Sequence, residues 1–282
     1  MYWHGHNREI FNKKEMSAFK GFQKTGTQNA VIRPNSLFSG FPDTGFGQAG
    51  LIGGVPATGL VAWFNPSLNI TLGTGVSQWQ DITGTYTLSQ GTGSKQPLYV
   101  TGDVNYNYRP YLNFQSANSQ ALKLTIGNLC IGSNTQYQII AVRKWNTTGG
   151  TPIFVNSDDT NSINGRYYTI GANTGNLFDD WTDTSNHPTN QNITQDLLIH
   201  IESIEINRAT GNVYGSFDSI WHNTSATCTI ASTNYTSGIF SLGNYLTTYS
   251  NGYLMDVLIY NQTLVQSDWL MLRNYFGQIY GF

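Results

Sequence analysis

Charge is scarce in this sequence. Lys, Arg, Asp and Glu make up 11% of 282 residues, against roughly 25% in an ordinary soluble chain. The 14 basic residues face 16 acidic ones, for a net charge of −2. That balance excludes a basic nucleic-acid binder, which needs a marked Lys/Arg excess to neutralise phosphates. No stretch approaches the roughly 20 apolar residues of a membrane span. The opening MYWHGHNREIFNKKEM has no apolar h-region, so no signal peptide is expected. Only two cysteines occur, Cys130 and Cys228. They allow one disulfide at most and no zinc knuckle, and without an export signal they read as two reduced, buried thiols; the sequence leaves their pairing open. What is plentiful is aromatic and polar β-forming material: 17 Tyr, 14 Phe and 7 Trp, with Asn and Thr supplying about a fifth of the chain. Hydrophobic content of 39% is enough for a sizeable core and argues against a disordered chain. This composition suits β-structure with long polar loops.

Residues 1–59 differ from the rest. Arg8, Lys13, Lys14, Lys20 and Lys24 crowd the first two dozen positions. Ile10, Phe11, Met16, Phe19 and Phe22 recur at near-helical spacing, which fits a short helix over 9–22. The following stretch is rich in Gly and Pro and has neither helical nor strand period, so it reads as an extended arm. Its apolar residues, among them Phe38, Phe41, Phe46, Leu51 and Ile52, are too many for a solvated linker and suit a segment laid on another protein. Phe11 and Phe19 join them as anchor candidates. From Leu60 onward the chain reads as short strands between Gly/Asn/Thr turns. The run 196–206, then NRATGN, then 213–218 reads as a hairpin. Beyond Leu60 a helix is expected only at the C-terminus, over 266–277. There Ser267 can cap, Asp268 favours the positive end, Trp269, Leu272 and Phe276 form the apolar face, and Gly277 or Gly281 can end it. About fourteen strands without βαβ alternation predict an all-β, two-sheet antiparallel sandwich or jelly roll over 60–282.

Four segments resemble the concanavalin A-like lectin/glucanase domains of laminin-G-like type. LVAWFNPS leads to VSQWQDITG, with Trp79, Asp81, Thr83 and Gly84 at the turn; KQPLYV and RPYLNFQSANSQALKL follow, and NGYLMDVLIYNQTLVQSDWLMLRNYFGQIYG closes the chain. The resemblance covers roughly 60–282 and implies a jelly-roll sandwich with an extended N-terminal arm and a short C-terminal helix. It fixes no activity, because this fold hosts lectins, glycosidases, adhesins and structural modules.

Trp79 and Asp81 could stack and hydrogen-bond a sugar, but the plainer reading has Trp79 packing inward and Asp81 holding the backbone of its turn. Retaining glucanases of this fold need two carboxylates two or four apart on one strand, with carboxyls roughly 5–5.5 Å apart. Glu202 and Glu205 are three apart and face opposite ways on a regular strand. Asp179 and Asp183 have the right spacing, but Asp183 falls in a loop. The expectation is therefore a chain that is not an enzyme, with no catalytic residue. The segment FDDWTDTSNHPTNQN carries Asp179, Asp180, Trp181, Asp183, Asn186 and Asn190, the carboxylates, amides and ring that glycan binding uses. No cofactor is indicated. Calcium is the metal these oxygen donors, and those of 156–164, would suit.

These readings favour a virion structural protein of a bacteriophage: a capsid decoration, fibre or neck-associated protein. Residues 1–59 would anchor it to other virion proteins, and the lectin-like domain would face host-surface glycans, with no nucleic-acid or membrane partner. Oligomerisation about the arm, often threefold, is what the resemblance implies. A carbohydrate-binding module or adhesin of a cellular surface is the alternative, and a glycoside hydrolase of the same fold the third reading.

Overall fold

The computed structural model describes residues 51–124, 129, 136–146, 155–156, 167–169, 177–180, 186–189, 196–207, 210, 212–227, 239–245 and 248–282. Its first strands are β1 (Leu51–Ile52), β2 (Val55–Pro56), β3 (Leu60–Phe64), β4 (Ile70–Leu72), β5 (Val76–Gln80), β6 (Thr87–Ser89), β7 (Leu98–Val100), β8 (Tyr111–Phe114), β9 (Leu122–Leu124) and β10 (Gln136–Trp145). Then come β11 (Val155–Asn156), β12 (Tyr167–Thr169), β13 (Leu177–Asp180), β14 (Asn186–Thr189), β15 (Ile199–Asn207), β16 (Asn212–Phe217) and β17 (Ile220–Thr227). The chain closes with β18 (Ser241–Leu242), β19 (Asn244–Tyr245), β20 (Thr248–Tyr249), β21 (Gly252–Tyr260) and the helix α1 (Gln266–Tyr280).

Two sheets dominate. One runs β17-β16-β15-β10-β21-β8-β7, with β3 also paired to β21; the other runs β11-β18-β9-β6-β5-β4. Strand β21 meets β10 on one side, while on the other it meets β8 through its first half and β3 through its second. Every pairing among the described residues is antiparallel, and the expected hairpin of β15 with β16 is present. Residues 51–56, read from sequence as part of the arm, form a hairpin, β1 with β2, turning through Gly53 and Gly54. Both glycines have positive φ, 58° and 95°, the backbone a two-residue hairpin turn demands.

The core has two layers. Between the sheets, Ala62, Phe64, Leu112, Phe114, Ile139, Ala141, Val257 and Ile259 meet Val76, Trp79, Leu88, Leu122 and Leu242. On the far face of the larger sheet, Trp63, Ile140, Val142, Met255 and Leu258 pack against Trp269, Leu272, Phe276 and Tyr280 of α1, with Val55 beside them. Strands β10 and β21 are therefore covered on both faces, which is why the centre of β10, IIAV, and most of β21 are continuously apolar and not alternating. Helix α1 buries the apolar face expected of it and ends at Gly281, in the left-handed conformation at φ 81°. Its start differs from expectation. The cap position is Val265, with no side-chain cap, and Ser267 lies inside the first turn. Packing of Trp269 and Leu264 sets the helix start in place of a capping hydroxyl.

A bulge joins these layers. Ala141 pairs with Val257 and Arg143 with Leu254, so Met255 and Asp256 together oppose the single residue Val142. Both therefore turn toward the helix. Asp256 is buried there, accepting from Trp63 Nε1 at 2.6 Å and from Tyr280 Oη at 2.6 Å. Burial pushes its carboxyl up to about 7, against the opposing pull of those two donors. A carboxyl raised above its unfolded value of about 4 binds its proton more tightly in the folded state, so stability falls as pH rises from about 4 to about 7. Asp256→Asn should flatten that fall in urea titrations run across the window; an unchanged slope would mean another group carries it. Asp256→Ala should cost about 1–3 kcal/mol for each donor left unpaired.

Candidate functional site

The sequence-predicted glycan residues fall on the small sheet β12-β13-β14 and its connections. Asp179 and Asp180 lie on β13 and Asn186 on β14, with Asp180 paired to Asn186 and Asp179 to His187. The hairpin thus brings the two acidic positions and one amide position side by side along the backbone. Trp181, Asp183 and Asn190 lie outside the described residues, as do the anchor candidates Phe11, Phe19, Phe38, Phe41 and Phe46 and both cysteines. Leu51 and Ile52 form β1, with Leu51 half-buried and Ile52 exposed. Trp79 is fully buried, and Asp81 accepts from the backbone of Thr83 and Tyr86 at 2.9 and 2.7 Å, so both serve the fold. Among the described residues no group of three or more His, Cys, Asp or Glu could hold a metal ion.

The larger sheet carries a charged network that sequence reading did not assemble. Arg143 on β10 donates Nε to Glu202 Oε2 of β15 at 2.7 Å and Nη2 to Glu202 Oε1, and its guanidinium lies 3.6 Å from the Trp145 ring centre. Both charged side chains are fully buried. Burial pushes the Glu202 carboxyl up, while the guanidinium, which keeps its charge in proteins, pulls it back. Beside them His200 sits between two acids, with Nδ1 2.8 Å from Asp218 Oδ2 and Nε2 2.7 Å from Asp196 Oδ1. Its ring stacks on Phe217 at 4.6 Å and meets Trp145 edge-on at 5.8 Å. Burial lowers the imidazolium, but the bonds to Asp218 and Asp196 outweigh it and hold the group above its usual value. Glu205 pairs instead with His222 at 2.7 Å. Register places Glu202 opposite Ala141 and Glu205 opposite Gln138, on the two different faces of β10, as three-residue spacing requires.

At the end of this network the surface opens into a cleft of about 480 Å³, lined by Asn105, Tyr106, Lys144, Leu198, Asp218 and Arg273 among others. It lies where β10, the start of β15, the single turn Val104–Tyr106 and the last turns of α1 converge. Lys144 Nζ donates to Tyr106 Oη at 2.7 Å, and lies 5.2 and 5.6 Å from the ring centres of Tyr106 and Tyr253. Burial and then Asp103 push the Tyr106 phenol up to about 12, so it remains a neutral acceptor. No signal in the sequence points here. Lys144 ends an apolar strand, Arg273 sits mid-helix, and only the fold brings them to one opening.

No family model and no curated protein matches the chain. Solved structures do match. A Trypanosoma rangeli sialidase, solved with 2,3-difluorosialic acid, gives a TM-score of 0.53 at 15% identity over 79% of this chain and 34% of its own. Domain 4 of a GH43 extracellular arabinanase from Geobacillus stearothermophilus, solved with arabinotriose, gives 0.53 at 17% identity over 76% of this chain and 98% of its own. The binding domain of botulinum neurotoxin DC, solved with SialylT, gives 0.53 at 13% identity over 77% and 51%. The chain thus spans about a third of the sialidase and about half of the toxin chain. At these identities the likeness shows a shared all-β fold, one that fits a lectin-like sandwich. It also corrects one expectation. Carboxylate spacing argues for a chain that is not an enzyme, yet the matched chains include a sialidase and part of an arabinanase. The spacing rule presumes one strand carrying both acids, and this fold is found in glycan-cleaving enzymes to which that presumption need not apply.

The clamp on His200 has a pH signature. A histidine raised above its unfolded value of about 6.5 contributes stability that is fully present below that pH and is lost as pH rises through the higher folded value. His200→Gln should remove this loss and leave the acid-side slope of Asp256 intact. Thermal melting across pH 6–9, with NMR titration of the ring, measures it; a ring titrating below its ordinary value would reverse the assignment.

Proposed function

We propose that the chain is a glycan-binding protein whose lectin-like sandwich, of concanavalin A-like jelly-roll connectivity, is displayed from a larger assembly by its N-terminal arm. The observation that carries the binding half is the arabinanase domain. It is a discrete domain, matched over 98% of its own length, and was solved with a bound trisaccharide. The toxin binding domain, solved with SialylT, points the same way. The display half is supported by the composition of residues 1–59, aperiodic yet rich in Phe, Leu and Ile, and by the low overall charge. A virus particle, in particular a bacteriophage, is the assembly this construction fits, with host-surface glycans as partners and threefold association about the arm. The binding residues in this reading are Asp179, Asp180, Trp181, Asp183, Asn186 and Asn190. The ring of Trp181 stacks on a sugar, and the carboxylates and amides take hydroxyls or a bridging calcium.

Two measurements test this. Calorimetry of the whole chain against neutral oligosaccharides, with calcium and with a chelator, should give saturable binding that Trp181→Ala weakens by about tenfold or more. Absence of binding to every oligosaccharide would sink the reading. Deleting residues 1–50 should leave the sandwich folded and sugar-binding but unable to enter its assembly. Loss of folding would place the arm in the core, and normal assembly would remove it as the anchor.

A further inference from the structure

We propose that the cleft of Tyr106, Lys144 and Arg273 is a second saccharide site, built of other residues than 179–190 and specific for a sugar bearing a carboxylate. The proposal rests on the glycan-binding reading and adds a place and a ligand class to it.

The argument begins with unpaired positive charge. Among the described residues Arg143 gives Nε and Nη2 to Glu202, with Nη1 buried without an acceptor, and His200, Asp196 and Asp218 satisfy one another. Lys144 is different. Its ammonium has three donors, of which one goes to the neutral Tyr106 hydroxyl, and it has no carboxylate partner. Arg273 has only a 3.4 Å contact from Nη1 to the neighbouring Asn274 side chain, and its Nε is buried without an acceptor. A guanidinium offers five donors in a planar fork that matches a carboxylate's two oxygens. Two cations without a carboxylate partner among the described residues thus line one opening, in a chain with few charges to spare.

The remaining lining fits a sugar ring better than a bare ion. Asn105 and the Asp218 carboxylate present groups that hydrogen-bond ring hydroxyls, while Leu198, exposed at 63%, and Leu197 offer apolar surface to the ring's C–H face. The cleft volume of about 480 Å³ lies within the roughly 300–1,000 Å³ of small-ligand pockets and far exceeds what one small anion fills.

The probes are D-glucuronate and D-glucose, the same ring with and without the carboxylate, with inorganic phosphate as the bare-anion control. Ligand-observed NMR titration of the whole chain should show glucuronate binding at least about tenfold tighter than glucose and weakening as salt is raised. Arg273→Gln, Arg273→Lys and Lys144→Met should each weaken glucuronate by about tenfold with melting temperature unchanged, and Trp181→Ala should leave it untouched. The paired Arg273 variants keep the test sound if one of them folds poorly, because the lysine keeps charge and loses only the fork. Equal binding of glucose, displacement by equimolar phosphate, or loss of glucuronate binding in Trp181→Ala would each overturn the assignment. Neutral oligosaccharides binding while glucuronate stays silent would overturn this site alone; silence from every sugar would overturn the glycan-binding reading with it.

Discussion

One carboxylate with nowhere to put its charge governs how the layers of this protein meet. Asp256 belongs to the closing strand, but its two hydrogen bonds reach Trp63 of an early strand and Tyr280 of the closing helix. A buried acid must be satisfied or neutralised, and the side chains that satisfy it come from segments more than two hundred residues apart. The helix therefore has one docking position along the sheet, the one that places Tyr280 over the bulge. Apolar contact alone, from Trp269, Leu272 and Phe276, would tolerate sliding by a turn. The polar tie does not. Specificity of register is the role buried polar groups fill best, and here the sheet gives up ladder regularity to obtain it.

Runs of strong β-formers are legible in the amino-acid sequence as strands. LVAWF and VSQWQ form β3 and β5 over their whole length, and the hairpin expected over 196–206 and 213–218 is shifted by one to three residues at its strand ends. Other strands are hidden for physical reasons. Ile220–Thr227 carries His222, Asn223 and Thr224, residues that favour turns, yet it forms the edge strand beyond β16. Pairing with a formed neighbour overrides local preference there. The two-residue strands at 51–56 sit inside a Gly/Pro-rich stretch, where a tight hairpin and an irregular arm use the same residues.

The candidate sites are less legible, for a different reason. Residues close in sequence, such as 179–190, can be grouped by eye. Arg143, Glu202 and His200 are brought together only by antiparallel pairing of β10 with β15, where Arg143 faces His200 across the ladder. Lys144 and Arg273 meet only because the helix lies back over the same sheet end. Spacing rules speak of one strand or one loop. A cleft whose walls come from a strand, an isolated turn and a helix has no spacing to find.

The opening hairpin and the closing helix share one face of the sandwich. Tyr260 Oη donates to Pro56 O, Gln262 Nε2 donates to Thr58 O, and a Cβ on Gly54 would run into the Tyr275 ring at 2.5 Å. Residues 54–58 and 260–275 therefore fix one another on that face. Any side chain at position 54 would have to displace the Tyr275 ring, so the hairpin turn and the helix can be remodelled only together.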